Sequence, residues 1–212
     1  MRIDPTEFRQ LELRCHGLLA DVPLHDVWRI RLAGGGPGRT MADVLAVSPF
    51  RRAESPSALV RGLFGLRRVL GGLLGWDEPR HDVGAESFVS RLTDEDRARS
   101  LVSPGAPEGP FRLLFVFPME AVAEIRNATV QAFLATALRP RDDGYDVYWA
   151  IYVKPVSVLT PVYMAVIDPF RRLFVYPAMI RQTQEAWRRA YPARTRTGDP
   201  RPAGERNPNT LH

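Results

Sequence analysis

Helical spacing of apolar residues dominates the first half of the chain after one early strand. Residues His25–Leu32 alternate apolar and charged side chains and predict a strand, which the glycines of residues 34–38 end in a loop. Thr40 can cap a short helix running through Val47, and Pro49 stops it. From Ser57 to Leu73, leucines recur every three or four residues with arginines opposite them, which predicts an amphipathic helix.

Strand patterns take over in the second half. Residues 93–96 predict a short turn or helix, and the loop Ser103–Pro110 separates the two halves on composition. Phe111–Phe117 reads as a buried strand because it is rich in aromatic and aliphatic residues. Glu120–Leu138 mixes β-branched residues with alanines, and we interpret it as two strands with a break near Arg126–Thr129.

A hairpin and a final helix complete the pattern. Residues 139–144 supply a turn, and the aromatic segment Tyr145–Val153 returns as a strand, so the second half predicts an antiparallel meander. Thr160 followed by Pro161 predicts the start of a long helix. Pro169 and Pro177 each remove a backbone hydrogen bond, so we expect this helix to bend at both prolines.

The order of elements predicts an α+β fold in one domain. The chain has 212 residues, 45% of them apolar, which is enough for one core. We expect residues 1–20 to form an N-terminal extension, residues 21–191 the domain, and residues 192–212 a disordered tail that is rich in Arg, Pro and Gly.

Charge and cysteine content indicate which partners and which cellular compartment to expect. The net charge is +5, but the arginines are scattered, so we expect no nucleic-acid partner. Cys15 is the one cysteine, which excludes an intramolecular disulfide and fits a reducing cytoplasm. The N-terminus lacks a secretory signal and no segment is apolar enough to span a membrane, so we expect a soluble, cytoplasmic protein.

No motif for a cofactor or a metal stands out. Residues 34–40 resemble a phosphate-binding loop in following a strand, but the motif's lysine is missing and its glycine spacing is wrong. We therefore interpret them as a mobile loop, and we expect neither a cofactor nor a metal site. The sequence by itself does not reveal a reaction or the oligomeric state.

Four segments carry a family resemblance: GPFRLLFVF (109–117), EIRNATVQAFL (124–134), YDVYWAIYVKP (145–155) and YMAVIDPFRRLFVYPAMI (163–180). In these segments the chain resembles the bacterial family called domain of unknown function 2867, over about residues 20–191. The resemblance implies the helix-grip fold of START-like (SRPBCC) proteins, in which a curved antiparallel sheet surrounds a long C-terminal helix. Some relatives are fused to a nucleotide-binding oxidoreductase, which implies such an enzyme as a partner. Histidine is frequent in the family where this chain has Gln131.

A helix-grip fold implies a cavity between the sheet and the terminal helix, and apolar ligands suit such a cavity. Our first hypothesis is therefore binding of a small apolar or amphipathic molecule. The candidate lining residues carry polar groups and could turn inward: Glu124, Arg126, Asn127, Gln131, Tyr148, Trp149, Tyr163 and Arg171.

Two further functions remain open at this point. In the first, the chain is a cyclase-like or hydrolase-like enzyme, and a buried Glu124 acts as general acid or base beside Arg126 or Tyr163. In the second, the chain is an interaction module that presents residues 57–76 or 159–180 to a partner or to a membrane surface.

Overall fold

The structure is a computed structural model that describes residues 1–49, 86–126, 130–155, 164–165 and 168–192. Its strands are β1 (Arg2–Ile3), β2 (Leu24–Ala33), β3 (Pro107–Glu108), β4 (Phe111–Phe117), β5 (Glu120–Arg126), β6 (Val130–Arg141) and β7 (Gly144–Pro155). Its α-helices are α1 (Pro5–Arg9), α2 (Arg14–Leu18), α3 (Met41–Ala46), α4 (Asp94–Arg99) and α5 (Tyr176–Ala190), with a 3₁₀-helix at Phe88–Arg91 and a π-helical segment at Arg171–Val175.

The described strands form one antiparallel sheet in the order β1-β2-β7-β6-β5-β4-β3. Strands β4 to β7 follow one another in space as they do along the chain, which confirms the predicted meander. Strand β2 joins it by pairing with β7, from Leu24 opposite Tyr152 to Ala33 opposite Gly144. The α+β class is confirmed.

Several local predictions on described residues are confirmed, but β3 lies inside the segment Ser103–Pro110 that the sequence predicts as a loop. Helix α3 begins after Thr40, whose hydroxyl and backbone form a capping box with Asp43, and α4 begins after Thr93 in the same way with Asp96. The predicted break in residues 120–138 lies between the end of β5 and the start of β6. The predicted helix at residues 57–73, the helix start at Thr160 and the tail from residue 193 lie outside the described residues.

Helix α5 covers one face of the sheet together with α3. Alternation along the strands turns Trp28, Ile30, Val147 and Trp149 toward this face, and the fully buried Trp187 of α5 packs among them. Each fully buried side chain of this size contributes about 3 kcal/mol.

The N-terminal residues cover the opposite face. Phe8 of α1 and Cys15 of α2 are fully buried against Phe115, Phe133 and neighbouring side chains of the sheet. Residues 1–20, which the sequence pattern predicts as an extension, therefore contribute β1, α1 and α2 to the same structure. Apolar residues on both faces of β4 and β7 require such a cover, because an uncovered face would leave them in water.

The loop of residues 34–38, which the sequence predicts to be mobile, contacts both α5 and β7. Gly35 lies against the indole of Trp187, with φ at +93° and an added Cβ only 2.7 Å from that ring. The Tyr145 hydroxyl donates to the Gly36 carbonyl over 2.7 Å and accepts from the Arg39 backbone over 3.1 Å. Glycine at position 35 allows this close approach, which is a structural role.

The terminal helix changes type between its two prolines. Residues 168–170 are helical, Arg171–Val175 form a π-helical turn, and α5 continues with Pro177 as its second residue. Pro177 cannot donate to the carbonyl four residues earlier, and its ring would collide with that carbonyl in a regular α-helix. The wider π turn relieves this conflict. The sequence predicts an irregularity at the prolines but not its π-helical form.

Candidate functional site

A cleft lies between α3 and α5 on the α5-facing side of the sheet. Its floor comes from β4, β5, β6 and β7, and α3, β3 and α5 form its walls. We call this the α3–α5 cleft; it is lined by Val44, Leu45, Ser48, Glu108, Phe111, Leu113, Ala121, Ala123, Leu134, Thr136, Trp149 and Thr183.

Small side chains on β5 create the cleft. Strand alternation turns Ala121 and Ala123 toward α5, whereas the larger Val122 and Glu124 point to the other face. Leu134 of β6, which lies opposite Ala123, and Phe111 of β4 also line the cleft. The result is a shallow apolar trough across the sheet.

A few polar groups stand among the apolar walls. Glu108, Thr136 and Thr183 are all buried, and the Thr183 hydroxyl donates to the Met179 carbonyl over 2.9 Å, so its oxygen lone pairs remain available as acceptors. The free space is about 30 Å³, which is room for roughly two water molecules. As it stands, the cleft admits only a narrow group.

The structure describes six of the eight residues predicted to line the cavity, and these six lie in different parts of the fold. Trp149 lines the α3–α5 cleft. Glu124 and Gln131 meet on the opposite face of the sheet, with Arg126 close to Glu124, and Tyr148 lies elsewhere on that face. Arg171 is in the π-helical segment. Asn127 and Tyr163 lie outside the described residues.

Glu124 is held by a dense hydrogen-bond network beneath the 3₁₀-helix. Its carboxylate accepts from the Ser87 hydroxyl over 2.6 Å, from the Gln131 side chain over 2.6 Å and from the Phe88 backbone over 3.4 Å. The Arg126 guanidinium lies 3.9 Å away. These contacts fix the 3₁₀-helix on the sheet, and they place Glu124 outside the α3–α5 cleft.

Tyr148 likewise joins the N-terminal helices to the sheet. Its hydroxyl donates to Glu7 of α1 over 3.0 Å, and Arg29 of β2 donates to the same carboxylate oxygen over 2.7 Å. Burial, followed by the bond to Glu7, raises the pKa of Tyr148. Its hydroxyl therefore stays protonated at neutral pH and serves as a hydrogen-bond donor.

A second polar cluster, which the sequence reasoning missed except for Arg171, joins β2 to the π-helical segment. His25 contacts Asp168 through Nε2, and Arg171 donates to Asp168 over 3.0 Å. The Arg172 guanidinium lies 3.1 Å from His25 and 3.5 Å from Asp26. We call this group the β2–π cluster: His25, Asp26, Asp168, Arg171 and Arg172.

The β2–π cluster is partly buried and joins β2 to the π-helical segment. Asp26 is almost fully buried and accepts from the Trp28 indole over 2.6 Å, and the Arg171 guanidinium contacts the Tyr176 hydroxyl. Burial raises the pKa of Tyr176 to about 12, so this hydroxyl is also neutral at physiological pH. The negative charges of the two aspartates in the cluster are balanced by the positive charges of Arg171 and Arg172. Buried charges need such pairing. Spacing along the sequence could not show that residues so far apart meet.

Metal and membrane-spanning features are both missing from the described residues. Their His, Cys, Asp and Glu side chains form no group of three that could hold a metal ion. None of the described helices has the length and hydrophobicity to cross a bilayer. Cys15 is fully buried, and burial together with the charge of Glu120 raises the pKa of its thiol, so it is a poor nucleophile.

Comparison with known proteins places the chain in a family without assigning it an activity. The family model described as a protein of unknown function (DUF2867) matches residues 18–178, most of the chain. The chain belongs to the DUF2867 family. The match spans β2 to β7, the β2–π cluster and the start of α5, so the α3–α5 cleft is built almost wholly from DUF2867 residues. No curated protein and no solved structure matches this DUF2867 member.

Proposed function

We propose that the chain binds a small apolar or amphipathic molecule in the α3–α5 cleft. The observation that carries this proposal is the alanine floor at Ala121 and Ala123, with the buried polar groups of Glu108, Thr136 and Thr183 around it. Ligand sites in proteins are typically apolar concavities with a few polar groups that orient the ligand.

The dimensions of the cleft restrict the ligand. Sites for drug-sized molecules usually exceed 300 Å³, roughly ten times the free space of about 30 Å³ found here. Free space of this size suits a narrow group such as an alkyl chain. We therefore expect an amphipathic ligand to insert its narrow apolar end and to leave its polar end toward the opening.

We also propose that the chain has the helix-grip fold that the family resemblance implies. One long C-terminal helix across an antiparallel sheet supports a helix-grip (START-like) architecture. A buried unpaired Cys15 is compatible with the reducing cytoplasm. An oxidoreductase partner stays a prediction of the resemblance alone.

An enzyme that uses Glu124 is the weaker alternative. Glu124 is buried under the 3₁₀-helix, and three hydrogen-bond donors occupy its carboxylate. A general acid or base needs to reach its substrate. The position of Glu124 therefore supports a structural role and makes this residue a useful control for the cleft.

Binding can be tested with a series of linear 1-alkanols and alanine-methyl NMR. We expect saturable shifts of the Ala121 and Ala123 methyl signals, with Ala135 and Ala137 on the opposite face unaffected. Each added methylene should strengthen binding about fourfold until the cleft is full, because burying it contributes about 0.8 kcal/mol. Native mass spectrometry of protein purified without additives would reveal an occupant retained from the cell.

Two variants on one strand separate cleft binding from general effects. Ala123→Leu fills the floor and should weaken alkanol binding at least about tenfold. Glu124→Gln, the next residue but on the opposite face, should leave binding unchanged while thermal unfolding reports its structural cost. Equal shifts of alanine methyls on both faces, or unaltered binding by Ala123→Leu, would refute the proposal.

A further inference from the structure

The π-helical segment exposes two large apolar side chains. Leu173 is 68% exposed and Phe174 is 50% exposed. Among the described residues, the other exposed large apolar side chains are Met1 and Leu101, which lie far from this pair in sequence. The half-buried Phe170 packs against Phe174 with ring centroids 5.2 Å apart, so one side of the Phe174 ring is in contact with the protein.

The fold holds this pair outward. Arg171 and Arg172 reach toward Asp168, His25 and Asp26, and Val175 and Tyr176 are buried in the core. Leu173 and Phe174 lie between these two anchored pairs, and their side chains are exposed. Contiguous exposed apolar side chains often mark a surface that meets another apolar phase.

Cationic side chains continue the exposed side of the same helical element. Arg181 and Arg188 are exposed and lie seven residues apart, which places them on one side of α5. Arg189 is exposed beside Arg188, and Glu185 is the acidic residue on this side. This surface thus has exposed apolar side chains at its N-terminal end, at Leu173 and Phe174. Along α5 it carries a net positive charge.

We infer that this surface docks on an anionic phospholipid membrane. Leu173 and Phe174 would enter the boundary between headgroups and acyl chains, and Arg181, Arg188 and Arg189 would lie over the anionic headgroups. Peripheral helices combine apolar anchors and cationic faces in this manner. The inference does not depend on the proposed ligand cleft, because it uses none of the cleft residues.

A lipid surface fits better than a protein or a nucleic acid. A stable protein interface buries about 800 Å² on each partner around a well-packed apolar centre, whereas two protruding side chains need no complementary pocket in lipid. Nucleic acids are held mainly by cations on phosphates, which leaves Leu173 and Phe174 without a role.

Co-sedimentation with vesicles tests the inference directly. The protein should sediment with vesicles that contain phosphatidylglycerol, and sediment weakly with pure phosphatidylcholine vesicles. Leu173→Ser with Phe174→Ser should lower the partition coefficient at least about tenfold. Arg181→Gln with Arg188→Gln should lower it by about fivefold for each arginine, and raising the salt to about 1 M should have a similar effect.

Leu101→Ser is the matched control, because Leu101 is 52% exposed but lies outside this surface. It should leave sedimentation unchanged. The inference is overturned if the wild-type protein stays in the supernatant at low salt, or if Leu101→Ser weakens binding as much as the Leu173 and Phe174 pair. Vesicle binding that depends on the arginines but not on Leu173 and Phe174 would also overturn the inference. It would point instead to a partner that is recognised by its negative charge alone. A dimer in solution that the Leu173 and Phe174 changes dissociate would assign the surface to a second copy.

Discussion

Asp96 connects the N-terminal segment to α4. Its carboxylate accepts from the Arg14 side chain over 2.8 and 2.9 Å, and also from the Thr93 backbone over 3.1 Å. Burial alone raises the pKa of Asp96, but the hydrogen bonds from Arg14 and Thr93 outweigh it and hold the pKa below its ordinary value. The ionised carboxylate is therefore the form that stabilises the fold.

This pKa shift predicts acid sensitivity that depends on Asp96. An acid whose pKa is lower in the folded protein contributes its stability above its unfolded pKa of about 3.9, and this contribution is lost as the pH falls through the folded pKa. Asp96→Asn should lower the free energy of unfolding by about 1–3 kcal/mol at pH 7. Urea melts at a series of pH values should show the two proteins converging below about pH 4. A constant difference down to pH 2 would contradict the assignment.

At the scale of elements, the glycine loop and α5 depend on each other. Gly35→Ala places an alanine at a positive φ and brings its Cβ into collision with Trp187. Gly36→Ala also places an alanine at a positive φ, but no neighbouring atom lies within 4 Å of the new Cβ. A left-handed non-glycine residue costs about 1–2 kcal/mol. We expect Gly35→Ala to cost at least about 1 kcal/mol more than Gly36→Ala in chemical denaturation. Equal costs would show that Trp187 moves aside freely.

Elements with a strong local signal could be predicted, and those that depend on distant contacts could not. Phe111–Phe117 matches β4 residue for residue because apolar runs of this length favour a strand. Helices α1 and α2 were missed because each has five residues, too few for a periodic pattern. The Glu120 carboxylate stabilises the start of α2 by accepting from the backbone of Arg14 over 2.9 Å and of Cys15 over 2.7 Å, which no local pattern indicates.

The candidate site shows the same division. Alternation could not show which face of β5 or β7 meets α5, so the adjacent Tyr148 and Trp149 were both candidates. The structure turns Trp149 to the α3–α5 cleft, and Tyr148 and Glu124 to the opposite face. A shift of one residue reverses every side chain of a strand. His25 and Asp26 were missed because their partners Asp168 and Arg172 come from the other end of the chain.

For the whole molecule, the covering of both sheet faces predicts that the N-terminal residues are indispensable. Removal of residues 1–20 would uncover Phe115, Phe133 and Tyr152, which Phe8, Cys15 and their neighbours now bury. We expect the shortened protein to aggregate or to lose its cooperative thermal transition. Removal of residues 193–212, whose composition predicts disorder, is the control of similar length and should leave that transition in place. An intact transition without residues 1–20 would contradict the prediction.

The pairing of β2 with β7 also has a consequence for synthesis on the ribosome. Strands β4 to β7 can associate with neighbours made just before them, but Ala33 has to wait for Gly144 before its ladder can close. Until β7 has been made, the nascent chain carries β2 without its partner strand. The entropy cost of closing so large a loop then delays the pairing of β2 with β7. Newly made molecules are therefore most vulnerable to mispairing late in translation, and molecular chaperones would be needed most at that stage.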